Sequence, residues 1–362
     1  MASRDYSLLG SDGARAVETG LAAAEWYHSD VPRKAMKELM QRSDGPAIRD
    51  SFLMYGSMFV LAIAAVALWP SWWSVPFLLA YSVFYGSASD SRWHECGHGT
   101  AFKTGWMNDV VYHVASFMVV RNPYVWRWSH ARHHTDTYIV GRDPEIAIMR
   151  PPQLIMLMLN FFGLPAVIKD WGRMLAYAFT GKVGAEEATF IPASEHHKVI
   201  FVARIWTAIY TATLAIALYT SSILPFLLVG LPRLYGGWQH VMVGILQHGG
   251  LADNVTDHRL NSRTVIMGPV NRFLYWNMNY HLEHHMFPMV PYHALPRLHD
   301  LIKHDLPEPT QGVIAAYREM WPVLKKQLMN EEAFIKRQLP PTARPYREDF
   351  HVSALGAAIA AE

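Results

Sequence analysis

Three clusters of histidines have the residue type and spacing needed to bind metal ions. They are HECGH (His94, His98), HARHH (His130, His133, His134) and HLEHH (His281, His284, His285). Residues three and four apart lie on one face of a helix, so each cluster can aim its imidazoles at one point. Eight imidazoles without cysteine or carboxylate partners exceed the four ligands of one zinc and suit two metal ions. Imidazole ligation is compatible with iron, zinc, copper and nickel.

Two alternatives use the same residues differently. HECGH also satisfies HExxH, in which Glu95 would activate a zinc-bound water of an intramembrane metalloprotease. That reading needs a further ligand, often an aspartate in a later span, but residues 51–89 and 205–252 contain none, and six cluster histidines are left unused. A metal transporter would line a path across the bilayer with histidines, whereas the predicted spans hold only His240 and, at their edge, His248.

The composition indicates a membrane protein. Hydrophobic residues make up 51% of the 362 residues and charged residues only 17%, with 13 Trp, 16 Phe and 17 Tyr. The net charge of +2 gives no reason to expect a nucleic-acid partner. The single cysteine, Cys96, excludes an intramolecular disulfide and any CxxC metal site.

Two long uncharged regions predict membrane hairpins. Residues 51–89 contain no Asp, Glu, Lys, Arg or His, and as one helix they would reach about 58 Å, roughly twice the hydrocarbon core of a bilayer. They must fold back, and WPSWW suits a turn at an aromatic-rich interface. In residues 205–252 the only charged side chain is Arg233, and TSSILP divides the region. The predicted spans are residues 51–69, 72–90, 200–219 and 222–247.

The distribution of basic residues predicts the orientation. Neither hairpin tip contains Lys or Arg, so the positive-inside rule places the tips outside and both termini, with the insertion 91–198, in the cytosol. The apolar stretches 110–120 and 154–168 are too short to span and are expected in the interface or beneath the cytosolic part. All three histidine clusters then lie on one side.

The expected fold is an all-α integral membrane protein with four transmembrane helices in two hairpins and a cytosolic helical cap that holds a histidine-rich di-metal site. We divide the chain into a cytosolic N-terminal helical segment (residues 1–50), a main domain (51–301) that includes the third cluster at 281–285, and a cytosolic C-terminal helix and tail (302–362).

The clusters resemble a known family. HECGH, SHARHH and NYHLEHHMFPMVPYHALPRLH (residues 279–299) are similar, in order and in spacing to two hairpins, to the three histidine boxes of the membrane fatty-acid desaturase and hydroxylase superfamily. HECGH followed by Gly-Thr-Ala-Phe is particularly similar to acyl-lipid desaturases. The resemblance covers residues 51–301. The insertion TDTYIVGRDPE also resembles a bacterial branch that includes a rhizopine oxygenase, whose substrate is a small polar molecule.

The resemblance implies a non-haem centre of two irons that activates O2 at the cytosolic face of the membrane. It also implies a ninth ligand, and His248 stands at the matching place, 33 residues before His281. Acyl-CoA desaturases have an asparagine one turn earlier, where this chain has Gly244, so the substrate class of that subfamily is not inherited. The chain has neither a cytochrome b5 signature nor GxGxxG, so electrons are expected from an external ferredoxin, cytochrome or NAD(P)H-dependent reductase.

Further residues are candidates for supporting roles. Glu95, Asp136 and Glu283 are placed to accept the second N–H of a ligating histidine, although each could equally be an exposed carboxylate. Arg233 is a charge inside a span, which marks a functional cavity or a pair, or else snorkels to the interface. LPRLYGGWQH combines Pro with paired Gly, so we expect a broken helix that lines a substrate cavity with Arg233, Trp238 and His240. The other histidines are expected to be ordinary polar or core residues: His28, His113, His196, His197, His258, His293, His299, His304 and His351.

The sequence therefore favours an O2-dependent di-iron membrane oxidoreductase that desaturates or hydroxylates an unactivated C–H bond of a fatty acyl or other lipid-like substrate. The alternatives are a monooxygenase or O-demethylase of a small polar substrate and, more distantly, the zinc metalloprotease. The expected partners are the bilayer, an electron-transfer protein and the substrate, and the expected location is a bacterial inner membrane.

Overall fold

A computed structural model of the protein describes residues 4–347, and α-helices dominate this part of the chain. The helices are α1 (Ser11–Glu18), α2 (Arg33–Leu39), α3 (Asp44–Leu68), α4 (Ser74–Gly86), α5 (His94–His98), α6 (Gly105–Val119), α7 (Pro123–Thr135), α8 (Leu154–Phe161), α9 (Leu164–Thr180), α10 (His196–Tyr219), α11 (Leu224–Leu228), α12 (Pro232–Gly236), α13 (Trp238–Gly244), α14 (His258–Asn261), α15 (Pro269–Tyr275), α16 (His281–Met286), α17 (Leu295–Ile302) and α18 (Val313–Gln327). The C-terminal helix predicted within 302–362 is α18, whereas His351 and the predicted tail lie outside the described residues.

Short elements complete this framework. A π-helical turn, Ser89–Trp93, joins α4 to α5. Strands β1 (Val265–Ile266) and β2 (Thr310–Gln311) form a parallel pair. The 3-10 helices are Leu21–Ala23, Glu187–Thr189, Ala193–Glu195 and Lys303–Asp305.

Two helices of the described chain are long and apolar enough to cross a membrane. Helix α3 has 25 residues and α10 has 24, so they extend about 38 and 36 Å, more than the ~30 Å hydrocarbon core. Large apolar side chains face outward on both, with Phe59 67% and Phe201 64% exposed. Helix α10 contains the predicted span 200–219, α3 contains the predicted span 51–69 except for its last residue, and each helix begins before the predicted boundary.

The other two predicted spans do not form single helices of membrane length. In place of residues 72–90, α4 has only 13 residues, about 20 Å, before the chain passes into the π-helical turn. In place of residues 222–247 lie the short helices α11, α12 and α13. Proline starts α11 and α12, and Gly230 between them has a φ of +87°. The break expected from proline and paired glycines is therefore present.

The second apolar region of the insertion is longer than its composition suggested. Helices α8 and α9 run from Leu154 to Thr180 and are bent by 78° about Gly163, whose φ is +64°. The apolar stretch 154–168 thus ends inside α9, which continues as an amphipathic helix beyond it. By length and composition the bent pair could also be one broken span.

Glycine permits the closest helix contact in this region, between α4 and α12. A Cβ atom added to Gly236 would lie 1.9 Å from the backbone oxygen of Ser82, and one added to Gly86 would lie 2.7 Å from the backbone oxygen of Gly236. Gly56 of α3, by contrast, has open space around the same position. The backbones of α4 and α12 can therefore touch only without side chains at this crossing.

The segment before α2 packs over the histidine side of the molecule. The indole of Trp26 stacks on His258, with ring centroids 4.2 Å apart, and donates to the backbone oxygen of Thr135 at 2.9 Å. Both contacts are next to helices that carry cluster histidines. The N-terminal segment is therefore part of the wall around the cluster region.

Asp305 anchors the same segment. The hydroxyl groups of Tyr27 and Ser29 each donate to its carboxylate at 2.6 Å, and the guanidinium of Arg259 lies 3.1 Å away. Burial alone would raise the pKa of Asp305, but hydrogen bonds from Ser29, Tyr27 and the backbone N–H of Arg344, with the charge of Arg259, hold it below its ordinary value. A charged Asp305 thus connects the N-terminal segment to Arg259 and to the backbone of Arg344.

Candidate metal centre

The structure gathers nine histidines into two adjacent groups. The five-histidine group is His94, His98, His130, His134 and His284, and the four-histidine group is His133, His248, His281 and His285. Within each group, one ring nitrogen from every residue lies within 4.8 Å of those of the others. These are the eight box histidines and the one histidine that the family resemblance added.

Several Nε2 atoms approach each other closely. In the five-histidine group the Nε2 atoms of His94 and His284 are 2.8 Å apart. In the four-histidine group Nε2 of His281 lies 3.0 Å from that of His248 and 2.9 Å from that of His285. One donor and one acceptor can satisfy a pair, but not a ring of several inward-facing nitrogens. A cation bound among them would satisfy all of these lone pairs, so the donor set fits two metal ions.

Helix geometry explains how one box serves both groups. Successive residues of an α-helix point about 100° apart, whereas residues four apart nearly coincide. On α7, His130 and His134 therefore face the five-histidine group and His133 faces the other. Helix α16 divides its three histidines in the same way. The expectation that each cluster converges on one point is thus wrong for the second and third boxes.

The local packing of α5 depends on a glycine within HECGH. A Cβ atom at Gly97 would lie 2.1 Å from the ring of Trp126, so only glycine lets the indole approach so closely. That indole stacks on His130, with centroids 4.2 Å apart and planes 18° from parallel. The π-helical turn Ser89–Trp93 sets the entry into α5, and such turns often occur at functional sites. The first and second boxes are therefore joined through Trp126.

Two carboxylates hold the outward nitrogens of box-two histidines. Nδ1 of His133 lies 2.8 Å from Oδ2 of Asp143, and Nδ1 of His130 lies 2.8 Å from Oε2 of Glu145. Oδ2 of Asp143 also accepts the backbone N–H of Tyr138 at 2.8 Å. Such contacts fix the tautomer and the orientation of a ligating ring, leaving Nε2 free to bind metal. Sequence reasoning missed both residues, and their only signal was the acidic pair of GRDPE in the insertion.

Neutral groups orient two histidines of the four-histidine group. Nδ1 of His248 donates to the backbone oxygen of Asn261 at 2.7 Å. Nδ1 of His285 lies 3.2 Å from the hydroxyl of Thr137. Both rings are therefore held from outside with Nε2 directed inward.

The carboxylates proposed from sequence do not perform this role as expected. Asp136 is wrong, because it pairs with Arg132 and Arg142 instead of a cluster histidine. Glu283 is also wrong, because it accepts hydrogen bonds from His299 and from Thr264. Each carboxylate is satisfied by the nearest donor, which sequence spacing does not identify.

Glu95 lies behind His284. Its Oε1 is 3.8 Å from Nδ1 of His284, beyond hydrogen-bond distance, and its Oε2 accepts from the hydroxyl of Thr100 and the backbone N–H of Tyr292. The carboxylate is thus on the outer side of the ring, away from the Nε2 atoms. A zinc protease would need Glu95 on the inner side to activate a metal-bound water.

The protonation state suits metal binding. Burial, reinforced by the neighbouring imidazoles, lowers the pKa of His94 and His284 well below the ordinary value, and burial lowers the pKa of His98 to about 3. His133 is different: burial disfavours its charged form, but Asp143, together with Glu145 and Asp90, raises its pKa above the ordinary value. Neutral imidazoles are the form that binds a metal ion.

A cavity of about 620 Å³ adjoins both groups. Its lining includes His94 and His130 of the five-histidine group. It also includes His133, His248 and His281 of the four-histidine group. Its size is that of sites for drug-sized ligands. A bound molecule could therefore reach both groups.

The wall of the cavity includes two of the three residues that the sequence predicted there. Arg233 and His240 line it and are 2% and 7% exposed. Trp238 does not contribute to the wall and is 43% exposed, so that prediction is wrong: it neighbours His240 on the outward face of α13. At Gly244 a Cβ atom would lie 2.7 Å from Oδ2 of Asp90, so Asp90 occupies the space that a side chain would need.

Comparison with known proteins gives a consistent family match. The model of the family described as "Fatty acid desaturase" matches residues 67–316. The chain is 23% identical over 300 residues to the "Acyl-lipid omega-3 desaturase (cytochrome b5), endoplasmic reticulum" of Arabidopsis thaliana, covering 76% of this chain and 74% of that protein.

Two other relatives show a similar level of identity. The "sn-2 acyl-lipid omega-3 desaturase (ferredoxin), chloroplastic" of Helianthus annuus is 25% identical, over 73% of this chain and 62% of its own length. The "Delta(12)-oleate desaturase" of Trichosanthes kirilowii is 26% identical, over 65% of this chain and 71% of its own length. The matched region contains all nine grouped histidines.

Proposed function

Because the chain belongs to the fatty acid desaturase family, we propose that it is an O2-dependent non-haem di-iron membrane oxidoreductase acting on an unactivated C–H bond of a fatty acyl or other lipid-like substrate. The observation that carries this proposal is the pair of histidine groups, five and four residues strong, with neither cysteine nor carboxylate among the grouped ligands. Such a donor set suits two imidazole-ligated ions better than one zinc.

In this proposal each histidine group holds one iron. Bound iron would supply the reduction of O2 with electrons from the external donor, and either the removal of two hydrogens from neighbouring carbons, which gives an alkene, or the insertion of one oxygen atom into a C–H bond, which gives an alcohol. Asp143 and Glu145 keep the rings of His133 and His130 in the tautomer whose Nε2 is free. The cavity holds the substrate carbon beside both groups, and proximity of this kind lowers the barrier to reaction.

Electrons come from an external donor in this proposal. The printed names of the relatives include cytochrome b5 and ferredoxin, which supports a donor of that type. We also propose that α3, α4, α10 and the broken run α11–α13 form two membrane hairpins, with both termini and the histidine groups on the cytosolic side. The basic-free hairpin tips support that orientation.

A second candidate is oxygenation of a small polar molecule, in agreement with the resemblance to the rhizopine oxygenase branch. The observation that favours it is the buried, charged far wall of the cavity, where Arg233 lies. A neutral hydrocarbon chain would leave that wall without partners.

Iron analysis tests the proposal. The protein is purified anaerobically in a non-ionic detergent, and iron and zinc are quantified per chain; about two irons are expected. His284→Ala should lose the iron of the five-histidine group, whereas His197→Ala, which removes an exposed histidine outside both groups, should retain both. One zinc per chain, or two irons and full turnover in His284→Ala, would refute the proposal.

Turnover is measured on the same preparations with O2 and a reductant. Membrane lipids, fatty acids and small polar ethers are supplied as candidates, and products are identified by mass spectrometry. New double bonds indicate desaturation, and addition of one oxygen or loss of a methyl group indicates oxygenation. This separates the two candidate functions.

A further inference from the structure

Arg233 is a buried cation with free donors in the wall of the cavity. It is 2% exposed, and its Nε and Nη1 atoms have no hydrogen-bond partner among the described residues. Its Nη2 lies 3.4 Å from Nε2 of His240, which is a weak contact at most. Arg233 lines the cavity, and because Nε and Nη1 lie on opposite sides of the guanidinium, an anion with two oxygens would pair with one of them together with the second N–H of Nη2.

Such an arrangement is unfavourable unless something binds there. An unsatisfied buried donor is destabilising, and more so when the group is charged. Arginine offers two parallel N–H bonds in a planar fork, which matches the two oxygens of a carboxylate. The geometry therefore favours binding of a compact anion with two acceptor oxygens.

One acidic residue on this wall, Asp90, is occupied elsewhere. Oδ2 of Asp90 lies 3.1 Å from Nδ1 of His240, and His240 stands between Asp90 and Arg233. Asp90 belongs to the π-helical turn that leads into His94. The chain Asp90–His240–Arg233 thus connects the free guanidinium to the start of α5, while leaving its outer N–H groups free.

The remaining charges around the cavity favour an anion. Besides Arg233, the basic residues lining it are Arg121, Lys169 and Arg173, and the acidic ones are Asp90, Glu145 and Asp170. Of the acidic three, Glu145 is bonded to Ser129 and His130, and Asp90 faces His240. Asp170 is the one carboxylate that could compete for Arg233. Of the cations, Arg173 pairs with Glu187 at 3.2 Å, so Arg233, Arg121 and Lys169 remain against Asp170.

We propose that the substrate carries a free carboxylate, which forms a bidentate pair with Arg233 and so positions a carbon of the same molecule beside the histidine groups. The proposal rests on the proposed function and narrows its substrate class to organic acids, whether a free fatty acid or a smaller acid. Neutral acyl esters lack the charge that Arg233 requires.

The test is ligand binding to the purified, iron-loaded protein in a non-ionic detergent at pH 8. Decanoate is compared with methyl decanoate, decanamide and decylamine, and the readout is the concentration that half-saturates the rise in the thermal unfolding midpoint. We expect decanoate to half-saturate at a concentration at least tenfold lower than the ester or amide, with decylamine weakest. Butyrate and stearate, measured alongside, distinguish a small acid from a fatty acid.

Variants assign the effect to one side chain. Arg233→Gln should abolish the preference for acid over amide, and Arg233→Lys should reduce it, because lysine keeps the charge but loses the fork. Arg204→Gln is the matched control: Arg204 is also next to an apolar region, but it donates to the backbone oxygen of Ala178 and lies outside the cavity. It should keep the full preference.

The outcomes separate this inference from the proposed function. If the wild-type protein binds acid no better than ester and amide, or if Arg233→Gln keeps the tenfold preference, the inference is overturned. The wild-type comparison needs no variant to fold. Iron content of the same preparation reports on the proposed function separately, since acid preference without iron would overturn that function alone.

Discussion

Replacing Asp143 by asparagine should weaken metal binding selectively at the four-histidine group. The carboxylate is 2.8 Å from Nδ1 of His133 and also accepts the backbone N–H groups of Tyr138 and Glu145, each at 2.8 Å. Asparagine keeps an oxygen in place but removes the charge. A hydrogen bond to a charged group contributes about 1.5–3 kcal/mol and a neutral one about 0.5–1.5, so the loss is about 1–1.5 kcal/mol.

That difference corresponds to a roughly tenfold weaker binding of one iron, at 1.4 kcal/mol per factor of ten. It agrees with the 10- to 100-fold effects usual for groups that support metal ligands. The assay is an anaerobic titration of Fe(II) against a coloured chelator that competes for the metal. Two binding steps are resolved for wild-type protein, and only one should shift in Asp143→Asn.

The control is Asp109→Asn, which removes an exposed carboxylate paired at 3.4 Å with the exposed Arg127. Surface pairs of this kind contribute little, so neither binding step should move. If Asp143→Asn leaves both steps within twofold of wild type, then the contact with His133 does not support a metal ligand. An equal shift of both steps would likewise refute the assignment of His133 to one group.

Three further predictions concern packing, anchoring and orientation. Gly236→Ala should lower the free energy of unfolding by about 1–3 kcal/mol or more, because its Cβ would enter the backbone of α4, whereas Gly56→Ala should leave it unchanged or raise it by up to about 1 kcal/mol; thermal unfolding measures both. Asp305→Asn should make the N-terminal segment more susceptible to limited proteolysis. Because the pKa of Asp305 is lowered in the folded state, its contribution to the free energy of unfolding is present above its ordinary pKa of 3.8 and is lost as pH falls below that value. Ser71→Cys at the first hairpin tip should react with an impermeant maleimide in intact cells, and Ser194→Cys only after permeabilisation, since both positions are exposed.

Each of these has an outcome that contradicts it. Equal unfolding midpoints for the two glycine variants would show that α4 and α12 are not in backbone contact. A cleavage pattern at pH 7 that is the same in Asp305→Asn as in the wild-type protein would remove the anchoring role of Asp305. Labelling of both cysteines in intact cells, or of neither, would contradict the proposed orientation. The native Cys96 is fully buried and adds little background labelling.

Local signals in the sequence predicted local features well. The eight box histidines stand out because residue type and spacing on a helix are both visible in one sequence, whereas His248 was added by the family resemblance. The broken helix near Arg233 followed from proline and glycine. The helix length expected for the predicted span 72–90 was too great, because an absence of charged residues does not reveal where a helix such as α4 ends. Apolar stretches mark what can be buried, and not how the backbone turns.

Features that depend on distant packing were missed. Asp143 and Glu145 contact His133 and His130 because a loop folds back over α7, and no periodicity connects them. Asp136 is closer in sequence to the second box but meets two arginines first. The division of one box between two groups could have been derived, since adjacent helical residues point about 100° apart.

Helices α7 and α16 each contribute to both histidine groups, so the two groups share their supports. An ion bound by His130 and His134 would also fix the backbone of α7, from which His133 projects. Both ions would then depend on the same ordered helix. Displacement of the backbone of α7 or α16 would therefore disturb both groups at once, whereas loss of one outer contact, such as that of Asp143 with His133, would disturb only one.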